Sequence, residues 1–281
     1  GFAEGYNKAL KNIEADYYVL LNSDVEVTPN WLDPCIELLE NDEQAAVVQP
    51  KILSYQKPHL FEYAGAAGGF IDKFGYPFCR GRILNRMESD LGQYNTITPV
   101  FWASGACMFI KAGLFNQAGG FDGSFWAHME EIDLCWRLKN QGYKILYQPA
   151  THVFHLGGGS LPYSSPQKTY LNFRNNLFML FKNLPKDKFR RIFLLRIFLD
   201  HVAAVKFLAG FYFAGFTAVI KAHASLLANL PHLIRKRNRL KKFRLVEEHP
   251  EIYPKSIMWK FYFQRKRKFS KLRFYPEKKT E

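Results

Sequence analysis

The stretch Asp16-Tyr17-Tyr18-Val19-Leu20-Leu21-Asn22-Ser23-Asp24-Val25-Glu26-Val27 decides the fold. Its apolar run Tyr17–Leu21, bounded by polar residues, reads as a buried strand of the parallel kind. Asn22-Ser23-Asp24 follows at the carboxyl end of that strand, where open parallel sheets collect their ligands. Upstream, Lys8–Ala15 reads as a short helix after the opening Gly1-Phe2-Ala3-Glu4-Gly5-Tyr6-Asn7. An α/β sheet that opens with a loop, a helix and then a central strand is expected to lack its first strands. The sequence is therefore read as missing an N-terminal βαβ portion.

Downstream, Trp31–Asn41 reads as a helix with Thr28 as N-cap and Pro29 at its first position. Ala45–Leu53 is predicted as the next strand, and residues 54–97 as a long irregular excursion rich in glycine and aromatics. Long loops in compact domains are usually functional. Val100–Ile110 reads as a strand broken by the small residues Ser104-Gly105-Ala106. Phe115–Asp122 is turn-rich. Glu130–Gln141 carries Ile132, Cys135, Trp136 and Leu138 at helical spacing, with Gly142 as its natural stop. Lys144–Gln148 is predicted as a short strand and Thr151–Ser160 as a loop. Alternating strands and helices make this an α/β domain with a mostly parallel sheet flanked by helices.

The charge divides the 281 residues unevenly. The net charge is +14, yet residues 1–185 carry 15 Lys+Arg against 18 Asp+Glu, while residues 186–281 carry 24 against 7. The chain is read as a near-neutral domain over 1–185 and a basic, apolar helical region over 186–281. That asymmetry asks for an anionic partner, either a membrane surface or nucleic acid. With 48% apolar and 23% charged residues the chain is globular, and bulk disorder is excluded. The four cysteines, Cys35, Cys79, Cys107 and Cys135, form no Cys-x-x-Cys, so they read as ordinary buried thiols.

Three short segments bring chemistry. Asp24 and Glu26 at a strand end offer hard oxygen ligands for Mg²⁺ or Mn²⁺, which would clamp a diphosphate; an Asx-turn is the competing reading. Glu130, Glu131 and Asp133 crowd the first turn of a helix. Favourable interaction with the helix dipole explains them without function. A carboxylate aimed into a pocket of Phe125, Trp126 and Met129 would instead have a raised pKa and suit a general base. Adjacent helical residues point roughly 100° apart, so Glu130 and Glu131 do not share one task. Asp133 and Arg137, four apart, are expected to form an ion pair. Last, His155 precedes Gly157-Gly158-Gly159-Ser160. The histidine is a candidate metal ligand, and the glycines let backbone N–H groups approach phosphate oxygens, or act as a plain flexible connector.

Taken in order, these segments resemble the family 2 glycosyltransferases of the GT-A fold, in particular the rhamnosyltransferase-like branch. The residues that carry the resemblance are Gly1-Phe2-Ala3-x-Gly5-x-Asn7, Leu20-Leu21-Asn22-Ser23-Asp24-Val25-Glu26-Val27, Ser104-Gly105-Ala106, Gly120-Phe121-Asp122, Glu130-Glu131-x-Asp133-Leu134-x-x-Arg137 and His155-x-Gly157-Gly158-Gly159-Ser160. The resemblance implies a GT-A-like sheet and inverting transfer of a sugar from a nucleoside-diphosphate donor to a hydroxyl. It implies a divalent metal, Mg or Mn, held by Asp24, Glu26 and His155. Phe2, Ala3, Gly5, Asn7, Asn22, Ser23, Ser104, Gly105 and Ala106 would line the donor. It places the base at Glu131 or Glu130, with Asp133 beside them; where the family usually has Glu-Asp, this chain has Glu130-Glu131.

The region Lys188–Leu230 reads as long, apolar helix. Its longest uncharged stretch, Phe207–Ile220, has 14 residues, short of the roughly 20 needed to span a bilayer. Helices lying in the membrane interface are expected, with the basic clusters 235–242 and 265–268 on anionic headgroups and Trp259, Phe261, Tyr262 and Phe263 as anchors. A short re-entrant or tilted segment, or helices packed on the core with a solvated basic face, are the competing readings. Long apolar helices beside those clusters favour lipid over nucleic acid. The expectation is thus a peripheral enzyme at the cytoplasmic face of the membrane, acting on a lipid-linked or polysaccharide acceptor in cell-envelope synthesis. The alternative is a catalytically degenerate sugar-binding or scaffold protein on the same surface.

Overall fold

A computed structural model describes residues 1–157 and 165–274. In chain order the elements are α1 (Phe2–Leu10), β1 (Tyr17–Leu21), β2 (Val25–Val27), α2 (Asp33–Asn41), β3 (Ala45–Ser54), β4 (Gly69–Asp72), β5 (Pro77–Cys79), β6 (Arg82–Ile83), β7 (Arg86–Met87), β8 (Thr98–Val100) and β9 (Cys107–Lys111). They continue with α3 (Ala112–Gln117), α4 (Glu130–Asn140), β10 (Lys144–His155), α5 (Pro166–Asn183), α6 (Lys186–Ala209), α7 (Phe213–Ala228), α8 (Leu230–Lys241), β11 (Ile252–Tyr253) and α9 (Ile257–Tyr262). The chain divides into two compact units. One gathers Gly1–Tyr18, Lys111–Tyr143 and Gly158–Glu247; the other Val19–Ile110, Lys144–Gly157 and Glu248–Glu281. The first is helical and the second holds the sheets.

The sheet unit is built around β3. Every residue of Ala45–Leu53 is buried, as a strand covered on both faces requires, and the run is correspondingly apolar. The six-stranded sheet runs β1-β9-β3-β10-β2, with β8 also on β10. β3 and β10 are parallel. β9 on β3, and β2 and β8 on β10, are antiparallel. The α/β class read from the sequence holds, but the sheet is mixed rather than mostly parallel. The turn at Asn22–Asp24 sends β2 back beside β10, and short strands joined by loops carry no period that reveals direction. β10 is also longer than expected. Pro149 removes a ladder donor, the register slips between Gln148 and His152, and pairing then resumes as far as His155. The predicted loop from Thr151 is strand up to that point.

Residues 54–97, read as irregular, contribute the meander β4-β5-β6-β7, completed by β11. Its strands of two to four residues are too short for alternation to show. An aromatic cluster of Phe70, Phe78, Tyr253, Phe269 and Phe274 packs against it, with ring centroids 5.1–6.4 Å apart. Helix α2 starts at Asp33 with Pro34 in its first turn. Thr28 is not its cap, because its hydroxyl donates to His152 O across the β2–β10 pair (2.7 Å).

In the helical unit α1 begins at Phe2, earlier than the expected Lys8, and ends at Leu10. Helix α4 matches the predicted span closely, and Gly142 just beyond it takes φ +94°, a backbone that disfavours any side chain. The long apolar stretch Lys188–Leu230 is two helices, α6 and α7, ending at the first residue of α8. α6 stops at Gly210, and Phe211 at φ +56° turns the chain into α7. All four cysteines are buried free thiols; burial alone pushes Cys35 up to about 12.

Candidate active site

Within the sheet unit, three sequence-distant segments meet. Asn22 N–H donates to Ala106 O (3.0 Å), fixing the turn after β1 beside the turn before β9. Ser104 N–H donates to Gln49 Oε1 (2.8 Å), and Gln49 Nε2 returns bonds to Gly65 O and Ala66 O. Ser104 Oγ donates to Ala64 O and accepts from Ala106 N–H (3.1 Å). Gly65 takes φ +129°, and a Cβ there would lie 2.6 Å from Ser104 Cβ, so only glycine permits this approach. On the other side, the β2–β10 register sets Val25 opposite His155. His155 Nε2 is 3.2 Å from Asp24 Oδ1. Asp24 O also accepts Leu156 N–H (3.0 Å), pinning the two segments together.

Glu62 closes the circuit, and the sequence reading missed it. Its carboxylate accepts Ala64 N–H, and its Oε2 lies 3.2 Å from His155 Nδ1, although the angle is too poor for a well-formed hydrogen bond. Glu62 is buried. Gly157, at φ +68°, makes room for it, since a Cβ would come within 2.8 Å of Glu62 Oε1. One signal was available. Glu62 is the sole acid in Tyr55–Ile71 and sits between Phe61 and Tyr63, surroundings that suit a buried carboxylate with a task. Burial by itself would lower the His155 pKa. The Glu62 carboxylate beside Nδ1, with the charge of Asp24, outweighs it and holds the pKa above the usual histidine value.

The donor chemistry at Asp24 and His155, one carboxylate oxygen and one imidazole nitrogen 3.2 Å apart, fits a divalent ion of the Mn²⁺ type. Glu26 does not join them. It pairs opposite Phe154 and lies exposed, on the other face of the strand from His155. Among the described residues no cluster of three or more His, Cys, Asp or Glu is arranged as a metal cage. Gly158, Gly159 and Ser160 of the expected phosphate loop lie outside the described residues.

In the helical unit, α4 carries the acidic pair. The chain enters it through His128 and Met129 at φ +70° and +73°, two consecutive non-glycine residues in the left-handed region. Asn175 Nδ2 holds that turn, donating to Ala127 O and His128 O at 2.8 Å each. Glu130 is buried and Glu131 half-buried. Burial, then the Glu131 charge, drives Glu130 well above the ordinary carboxylate range. Burial likewise raises Glu131 to about 7, against the backbone N–H groups of Glu131, Ile132 and Met129, which favour its charged form. One oxygen of each carboxylate is buried without a hydrogen-bond partner among the described residues.

Asp133 is different. It is fully buried, with Arg137 Nε at 2.9 Å as the spacing predicted, Asn183 Nδ2 at 2.8 Å and Lys182 Nζ at 2.9 Å. Arg137 goes on to donate to Ala118 O and Gly120 O (2.6 and 2.7 Å). Asp122 accepts from Lys182 and Lys236 and caps Ser124. Burial opposes its ionisation, but the two ammonium groups overcome that and hold it far below the usual range. These residues fasten α4 to α5 and α8. Asn7 is also engaged structurally, exchanging two hydrogen bonds with the Phe121 backbone (2.7 and 2.9 Å). Ala3 is buried, and Phe2 packs on Tyr6 and Phe121 (4.7 and 6.0 Å). A Cβ at Gly5 would meet nothing.

An Asn-x-Asp turn, a small-residue turn and a histidine are thus brought together through Glu62, Ala64 and Ser104. Residues 1–118 match the model for glycosyl transferase family 2. Over this stretch the chain is similar to family 2 glycosyltransferases, and rhamnosyltransferases are among the relatives it matches. It is 26% identical over 151 residues to the N-acetylglucosaminyl-diphospho-decaprenol L-rhamnosyltransferase of Mycobacterium tuberculosis, covering 50% of this chain and 47% of that one. It is 26% identical over 140 residues to rhamnosyltransferase WbbL of Escherichia coli, covering 50% and 52%. The chain thus spans about half the length of these curated relatives. Among solved structures, GalNAc-T7 with UDP, GalNAc and Mn²⁺ aligns at TM-score 0.47 and 15% identity over 64% of this chain and 34% of that one. The mannosyltransferase PcManGT of Pyrobaculum calidifontis aligns at 0.43 and 13% over 86% and 60%.

Proposed function

We propose that this chain belongs to an inverting GT-A glycosyltransferase that moves a sugar, of the rhamnose class, from a nucleoside diphosphate to a hydroxyl of a lipid-linked or polysaccharide acceptor. The observation that carries the reading is the Asp24–His155 contact joined through Glu62, Ala64 and Ser104 to the small-residue turn. Asp24 and His155 would hold a divalent ion, which when bound offsets the charge on the departing diphosphate. The Glu62 carboxylate 3.2 Å from Nδ1 favours a proton there and so leaves Nε2 as the ligating atom on the Asp24 side. Gly105 and Ala106 leave room for the donor sugar beside Asn22 and Ser23. Ser104 serves that turn as a strut, since its hydroxyl is already committed.

Glu131 is the general base in this reading. It is less buried than Glu130, and a pKa near 7 gives it both a populated carboxylate and real proton affinity at neutral pH. It takes the acceptor hydroxyl proton as that oxygen attacks the anomeric carbon. The bond to the diphosphate breaks on the opposite face through an oxocarbenium-like state. The names of the two rhamnosyltransferase relatives support the donor class, and that of the decaprenol enzyme supports a lipid-linked acceptor. A peripheral place at the cytoplasmic face of a membrane follows from such an acceptor.

Calorimetry of the chain with nucleoside diphosphates, with and without Mn²⁺, tests this. Binding that requires Mn²⁺ and weakens at least about tenfold in Asp24→Asn and His155→Ala is expected. Binding indifferent to Mn²⁺ and to both substitutions would overturn it.

A further inference from the structure

Helix α6 is apolar on two opposite sides. Phe193 and Ala204 face inward and are buried. Leu194, Phe198, Val202 and Val205, at spacings of four, four and three, lie on the opposite side and are 50–62% exposed. Leu195 and Leu208 flank them, and the stripe from Leu194 to Leu208 runs about 21 Å at 1.5 Å per residue. It leads into Phe211, 81% exposed at the α6–α7 turn, with Phe213 beside it at 58%. No single helix among the described residues is long and apolar enough to cross a membrane.

The charge around this face has one sign. Residues 188–246 contain 13 Lys and Arg and a single acid, Asp200. Asp200 is fully buried, 2.7 Å from Arg196 Nε. Every exposed charged side chain in the stretch is therefore positive, including Arg190 and Arg191 before the stripe, Lys206 along it and Lys221 beyond.

We propose that the outer face of α6, with the Phe211–Phe213 turn, is the seat on an anionic lipid bilayer. The helix lies in the interface, its stripe among the acyl chains and its lysines and arginines at the headgroups. Charge selects this occupant. A second copy of the chain would bring the same positive surface face to face with itself, and a nucleic acid would leave the apolar stripe uncovered. This proposal deepens the membrane reading above by naming the surface, and it differs from an anchor on Trp259–Phe263.

Flotation of the full chain with vesicles tests it, without donor or acceptor, so that the outcome is independent of transferase chemistry. The chain is expected to float with phosphatidylglycerol-containing vesicles and far less with phosphatidylcholine alone. Phe198→Glu with Val205→Glu should cut the bound fraction about tenfold or more, with far-UV circular dichroism and melting unchanged because both residues are exposed. Phe211→Ser should weaken binding on its own. Flotation of the double variant equal to the parent, or a parent that binds neither vesicle, would overturn the proposal. So would a concentration-dependent dimer abolished by the double variant, or an oligonucleotide shift that the double variant loses.

Discussion

Glu62 is the residue whose removal says most about the proposed metal site. It acts through His155, whose Nδ1 lies 3.2 Å from its carboxylate. Glu62→Gln keeps the shape but removes the charge that favours a proton on Nδ1. It is expected to weaken Mn²⁺ binding about tenfold, read by electron paramagnetic resonance of free Mn²⁺, while the fold is retained. Unchanged affinity would leave Glu62 a purely structural acid. Asp24 and His155 were legible in the sequence because each sits in a short motif, at a strand end and before a glycine run. Glu62 was not, because its partner lies 93 positions on and its own stretch has no period. Glu26 misled for the opposite reason. Two acids at i and i+2 look like a pair, but Asp24 lies in the turn before β2, whereas Glu26 lies within the strand, opposite Phe154.

Glu131 gives the sign of a pH effect. Its folded pKa of about 7 lies above the value of roughly 4.3 for an unfolded glutamate. The folded chain therefore binds more protons in that window, and stability falls as pH rises through it. Glu131→Gln removes the cost of ionising this site. At pH 8 it should raise stability by on the order of 2 kcal/mol after allowance for partial exposure, with little gain near pH 4. Denaturant melts at the two pH values check this. The same substitution should abolish transfer, and the parent's rate should rise with pH along a limb near 7.

At the scale of elements, α4 shows what pattern can and cannot reveal. Its span, its stop at Gly142 and the Asp133–Arg137 pair follow from spacing alone. Its left-handed entry at His128 and Met129 does not, because nothing local favours it. Asn175 on α5, 47 positions away, supplies the two donors that hold the turn. Asn175→Ala leaves two part-buried carbonyls without these donors. It should destabilise the chain by about 2 kcal/mol and, by freeing the helix start, lower transfer more than donor binding. A loss of stability with the ratio of turnover to donor affinity unchanged would place Asn175 in the fold only. The short strands of residues 54–97 teach a related lesson: a sheet of two- to four-residue strands is specified by its turns and its aromatic packing, neither of which has a sequence period.

For the whole molecule, connectivity matters more than the charge boundary near residue 185. That boundary is real in composition, but a cut after Pro185 falls inside the helical unit. α8 would be lost, and with it the Lys236 contact to Asp122 and the bond from Arg237 to Phe181 O. Asp122 would keep Lys182 but lose half of the positive charge that compensates its burial. The sheet unit would lose β11 from the edge of β4, together with the backbone donors of Ile257 to Asp72 and Phe269 to Glu88. Phe70 and Phe78 would be uncovered where Phe269 and Phe274 pack. Each loss strips partners from buried charge or exposes aromatic surface, and stability of a whole domain is only about 5–15 kcal/mol. A fragment of residues 1–185 is therefore expected to lack a cooperative melt and to bind a hydrophobic dye, whereas the full chain melts cooperatively. A sharp, dye-silent transition in the fragment would show that the basic region is dispensable for folding, and that the contacts of Lys236 and Tyr253 add only a minor share of the stability.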